Sequence, residues 1–242
     1  MPLPYDLYIF AFIIVAFASF IQSLAGIGLA LVAAPILVII DARFLPGPIL
    51  TLGCCLSLLM SLRHRKSIQL GRTAIALYGR IPGSLLGIVL LSLIPQSLIS
   101  LGFALLIILS VAISYHHIKV APTNENLLIA GFFSGLMGTT TSIGGPPIAL
   151  VYQNSREEIV RAQLGFYFLI GTSLSIIMLL ISGNYSLKQI ELTLPLIPAT
   201  LVGFKLSEIF CNSMNSAQIK LYIAFISISS CLVIIYREIL SF

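Results

Sequence analysis

Apolar residues run along this chain in long stretches punctuated by Pro, Gly, Asn or charge, and the stretches fall at about 7–40, 45–62, 73–94, 97–115, 127–153, 162–182, 190–210 and 217–236. A membrane helix needs about 20 such residues, so the pattern predicts an all-α polytopic membrane protein with eight hydrophobic segments. Two segments are too long for a simple crossing. The stretch 7–40 would extend about 51 Å as a straight helix, against a hydrocarbon core of about 30 Å. Gly26, Gly28 and Pro35 inside it, and Gly138, Gly144, Gly145, Pro146 and Pro147 inside 127–153, mark where each helix breaks.

The two long segments also resemble each other. A shift of 112 lays Phe20 to Leu37 over Phe132 to Ala149, with Phe20/Phe132, Leu24/Leu136, Gly26/Gly138, Pro35/Pro147 and Ile36/Ile148 coinciding. Ile81-Pro82 with Gly87 matches Ile197-Pro198 with Gly203 at 116, and Ile99, Leu101 and Ala104 match Ile219, Leu221 and Ala224 at 120. Offsets that grow in order are what loop insertions between repeats produce. The expected organisation is therefore two homologous four-segment repeats, 1–115 and 127–242, joined by a loop at 116–126, the first segment of each repeat broken by Gly and Pro.

Composition agrees with the membrane reading. The 242 residues carry 13 Lys and Arg and 8 Asp and Glu, whereas a soluble chain of this length would carry about 60 charges. The mean hydropathy is +1.08. The formal net charge of +5 gathers in Arg63, Arg65, Lys66 and Arg72, a loop rather than a nucleic-acid-binding face, so no nucleic acid is expected. The positive-inside tendency puts that loop in the cytoplasm. Each long segment either crosses once or folds back as paired half-helices, and the second choice makes Arg156 and Arg161 inner residues in place of Lys188 and Arg237. Both choices leave the same inner charge count. The start, Met1 to Asp6, lacks the cationic region of a cleavable signal, and the first span is expected to be retained.

Enzyme chemistry lacks its parts. His64, His116 and His117 fall in loops or at segment ends, no HExxH or GxSxG occurs, and Asp6 and Asp41 lie outside the apolar centres. Cys54, Cys55, Cys211 and Cys231 show no ligand spacing and read as small buried hydrophobes, so no metal and no cofactor is expected. Glu208 follows Lys205 by three positions and is expected to pair with it.

The candidate chemistry lies at the breaks. Gly138-Thr139-Thr140-Thr141-Ser142-Ile143-Gly144-Gly145 sets four hydroxyls and three glycines inside an apolar segment, where loosened backbone implies a protein-lined cavity. A helix restarting there would turn N–H groups and the positive end of its dipole toward an anion. A kink whose hydroxyls bond preceding carbonyls is the plainer reading. Gln22, Gly26 and Gly28 form the weaker, matching half. Arg80, about eight residues into the third segment, faces a cavity, a partner carboxylate or the headgroups. Gly79, Gly83 and Gly87 make a stripe that lets another helix approach.

At these residues the sequence resembles the TauE/SafE family of sulfite exporter-like membrane transporters. The resemblance lies in the paired pattern Gly26-Ile27-Gly28 to Pro35-Ile36-Leu37 and Gly138 to Pro147-Ile148-Ala149-Leu150, in the basic loop, in Arg161-Ala162 and in both Ile-Pro-x-x-x-x-Gly stretches. It implies transport of a sulfur-containing oxyanion or organosulfonate across the bacterial inner membrane, with a small anionic substrate and the lipid bilayer as partners. A channel, a carrier of another small solute and a non-transporting scaffold remain alternatives. The departure from the family pattern is Leu29-Ala30-Leu31-Val32-Ala33-Ala34, where several glycines are usual. On the glycine count, the first half-site is expected to be short of backbone donors.

Overall fold

The computed structural model of the chain describes residues 4–94 and 120–210, with isolated helical positions at 98, 102, 105, 108, 225, 228, 232 and 235. Among the described residues every regular element is a helix: α1 (Tyr5–Ala25), α2 (Leu29–Ile40), α3 (Gly47–Arg63), α4 (Leu70–Leu93), α5 (Asn124–Thr141), α6 (Gly145–Tyr152), α7 (Glu157–Ile181), α8 (Leu187–Thr193) and α9 (Ile197–Phe210). Four stretches, Tyr5–Ala25, Leu70–Leu93, Glu157–Ile181 and Leu187–Phe210, are long and apolar enough to cross a membrane. Apart from those isolated positions the predicted segments 97–115 and 217–236 lie outside the described residues, as do His116, His117, Cys211 and Cys231.

Both long segments break at their glycines and then reverse. After α1, Gly26 and Gly28 take φ values of 85° and 149°, and after α5, Ser142 takes 64°. That left-handed backbone disfavours a Cβ, which explains two of the three residue choices. A chain continuing straight on would carry Gly28 away from α1, yet a Cβ built there would lie 2.9 Å from Cγ2 of Ile21 and 3.3 Å from the nitrogen of Gln22. The second break mirrors it: the Ser134 hydroxyl of α5 donates to the carbonyl of Gly144 at 2.5 Å. Each long segment therefore folds back on itself at its break rather than continuing straight on.

Helix directions follow from the contacts. α4 and α5 run parallel, because Gly79 rests on the backbone of Leu128, Gly83 on that of Phe132 and Gly87 on that of Leu136. An added methyl at Gly79 or Gly83 would overlap a carbonyl oxygen, so the stripe sets a backbone-to-backbone approach that no larger residue allows. α1 and α9 form the corresponding parallel pair, with Gly203 on the backbone of Ala16 and Phe20. Gly203 meets a carbonyl oxygen as closely as Gly79 and Gly83 do, and more closely than Gly87, with which the Ile-Pro spacing matches it. α3 and α7 run antiparallel: Met60 meets Gly165, and the hydroxyl of Thr51 lies 2.9 Å from that of Tyr185.

The end of α1, the end of α3 and the starts of α4 and α7 gather at one end of the bundle, here the basic end. The Arg161 Nε donates to the carbonyl of Leu24 at 2.7 Å, and the Ser67 hydroxyl to Glu158 at 2.6 Å. Arg161 thus places a cation on the C-terminus of α1, the favourable end of its dipole. Glu208 pairs with Arg63. The expected partner Lys205 lies on the same helix, and Glu208 instead joins α9 to α3.

Candidate functional site

The folded-back hairpins bring the two breaks together. A Cβ on Gly145 would lie 3.2 Å from Cγ2 of Ile27, and a small cavity of about 40 Å³ opens beside this contact. Its wall includes Gln22, Gly28, Arg80, Gly138, Ser142, Gly144 and Gly145, drawn from all the helices the sequence pointed to. It also includes Ser57 of α3 with Phe168 and Thr172 of α7. Gly26 lies behind the wall, packed on Leu164 and Val160.

Arg80 is the dominant feature of the cavity. Only 1% of it is exposed, and it does not snorkel. Nη1 donates to the Ser134 hydroxyl at 3.2 Å and Nη2 to the Ser175 hydroxyl at 3.3 Å. The guanidinium carbon sits 5.2 Å from the ring centroid of Tyr167. Gly171 makes the room, since a Cβ there would stand 2.5 Å from Nε. Among the described residues Arg80 has no carboxylate partner and its Nε has no hydrogen-bond partner. Burying a cation without its counter-charge costs several kcal/mol. The Ser57 hydroxyl, in the same wall, is likewise unpartnered among the described residues.

The hydroxyl run divides. Thr140 donates to the carbonyl of Leu136 at 2.8 Å and Thr141 to that of Met137 at 2.6 Å, each on its own helix. Thr139 bonds Ser175 at 3.1 Å, and so touches Arg80 through one intermediary. None of the three lines the cavity. Ser142 does, with its hydroxyl on the carbonyl of Pro46 at 2.8 Å.

The backbone donors are also arranged differently from the glycine count. α2 begins Leu29-Ala30-Leu31, three residues in the cavity wall that each carry an N–H, and the Gln22 Oε1 accepts from Leu29 at 2.9 Å. α6 begins Gly145-Pro146-Pro147, and its two prolines have no N–H to offer. An N–H needs no glycine to supply it, and that of Leu29 is taken by Gln22 within the first break. Sequence reasoning passed over Ser57, Ser134, Gly171 and Ser175. Gly171 and Ser175 stand one turn apart with Thr172 and Ser173 between them, a small and polar run in the apolar middle of α7 that could have marked them.

Among the described residues no three His, Cys, Asp or Glu side chains come together as a metal ion would require. The hairpins, the spans and the cation between them define a multi-pass membrane protein with a largely apolar cavity that holds a buried cation in its wall. The family model described as Sulfite exporter TauE/SafE matches residues 11–234, and the chain belongs to that family, whose members are transporters rather than enzymes. Neither a curated protein nor a solved structure matches it.

Proposed function

We propose that the chain carries a small sulfur-containing anion, an oxyanion such as sulfite or thiosulfate or a short organosulfonate, across the bacterial inner membrane. The observation that carries this reading is Arg80: a fully buried cation in a cavity wall with serine hydroxyls and a tyrosine face around it and, among the described residues, no carboxylate. An anion entering the cavity supplies the missing charge and meets Nε of Arg80, the Ser57 hydroxyl and the N-terminus of α2. The halves 1–115 and 127–242 act as inverted repeats, a reading supported by the opposite directions of α1 and α5 and by the like contacts of Gly79 and Gly203. The basic end faces the cytoplasm. The test is flux of radiolabelled sulfite, thiosulfate and methanesulfonate in proteoliposomes of folded protein. Saturable flux of at least one, lost in Arg80→Gln, is the expected result; absence of flux for all three overturns the reading.

A further inference from the structure

Between the cavity and the basic end the interior holds polar groups that the site above leaves idle. Gln163 and Tyr167 stand one turn apart on α7, Thr73 lies two turns before Arg80 on α4, and Tyr152 ends α6. Gln163 is 0% exposed, and Tyr152 and Tyr167 are 1% exposed. The Gln163 Oε1 accepts from the Thr73 hydroxyl at 2.6 Å, which leaves its Nε2 unpartnered among the described residues. The hydroxyls of Tyr152 and Tyr167 are unpartnered among them too. The two tyrosines share one apolar cluster, Arg80 lies over the Tyr167 ring, and the exposed Arg72 stands within electrostatic reach of the Tyr152 phenol.

Two unpaired phenols in one apolar cluster, with the half-paired amide of Gln163 one turn from Tyr167, weaken the fold, and Phe or Met would fill the same space without that cost. What the three share is an unused N–H or O–H. Among the described residues no Asp or Glu is buried beside them to accept those protons. A column of donors between a buried cation and an exposed one is chemically suited to an anion.

We propose that Tyr167, Gln163 and Tyr152 form a second anion position, which receives the substrate from Arg80 and passes it toward the basic end. The proposal rests on the anion-carrier reading of the cavity. In this conformation Gly26 packed on Leu164 and Val160, with Arg161 on the Leu24 carbonyl, closes that end, and the donors stand unused. When the hairpin of α1 and α2 moves off α7, the column opens and its donors meet the anion.

The test uses Tyr152→Phe, Tyr167→Phe and the double variant, which keep every ring and remove only hydroxyls. Sulfite binding and thermal unfolding are measured in nanodiscs, and sulfite, thiosulfate and methanesulfonate flux in proteoliposomes. The expected result is unfolding at or above the parental temperature in all three, sulfite affinity within about twofold in Tyr152→Phe, and flux lowered about tenfold for each hydroxyl lost, the worth of one hydrogen bond to a charged ligand. A hydroxyl that merely stabilised the fold would show the reverse, a lower unfolding temperature with flux per folded molecule unchanged. Parental flux in all three variants, with flux abolished in Arg80→Gln, removes the second position and leaves the carrier standing. No flux of any of the three anions in the parent overturns the carrier reading, and the second position with it.

Discussion

At Arg80, position in the sequence and position in space say different things. The sequence shows a cation some way into an apolar segment, compatible with three destinations; the fold chooses one by setting Ser134, Ser175 and Tyr167 around it from α5 and α7. Those partners are 54 and more positions away, so no local spacing reveals them. Removing a cation from a desolvated pair with a ligand costs about 2–5 kcal/mol, roughly 30-fold to several-thousand-fold in affinity. Arg80→Gln should lose sulfite binding by that factor in calorimetry while unfolding at the parental temperature or above, since the uncompensated charge is gone. Arg80→Lys keeps the charge without the planar fork and should fall between the two. The hydroxyl run is the opposite case. Thr140 and Thr141 bond carbonyls one turn back, so both Thr→Val variants should leave flux unchanged; Thr140→Val should keep stability within about 0.5 kcal/mol, and Thr141→Val, which also strips the buried Ile143 N–H of its acceptor, should cost about 1–3 kcal/mol. A flux loss in either variant would return the hydroxyl run to the site.

The helices are legible from composition because membrane segments need only length and apolarity, and their breaks because Gly and Pro act locally. How the chain leaves each break is not local. Gly28 doubling back on Ile21 depends on packing against α7, and the lysines and arginines count the same on either path. The glycine stripe belongs to this scale as well. Gly79 and Gly83 are held against carbonyls of α5, and Gly131 and Gly135 of α5 against the backbone of α4 in return. Forcing a methyl into such a seam costs about 1–3 kcal/mol or more. Gly83→Ala should therefore lower the unfolding midpoint and, by shifting α4, weaken sulfite binding at Arg80 one turn away. Gly71→Ala is the matched control, for nothing lies within 4 Å of its Cβ position, and alanine there should be neutral or stabilising by up to about 1 kcal/mol. Equal midpoints for the two variants would show that the α4–α5 seam tolerates separation.

Across the whole molecule the cavity lies between hairpins whose basic end is tied by contacts from distant segments: Arg63 to Glu208, Ser67 to Glu158 and Arg161 to the Leu24 carbonyl. His64 stands among them, half-buried at the end of α3. Burial first, and then the positive charges of Arg63 and Arg161, hold its imidazole below the ordinary value of 6.5, against a smaller opposing pull from Glu158. A base whose folded value is depressed takes up its proton more readily when unfolded. Its contribution to stability is therefore complete above pH 6.5 and is lost as pH falls through the lower, folded-state value. Protonation would also add a third cation beside Arg63 and Arg161 and loosen the closure they make. The parent protein should accordingly unfold at a lower temperature at pH 5 than at pH 7.5, and His64→Gln, which cannot titrate, should show a smaller difference between the two. Thermal unfolding in nanodiscs at both pH values measures this directly. If parent and variant lose the same number of degrees, the acid sensitivity of the basic end does not come from His64.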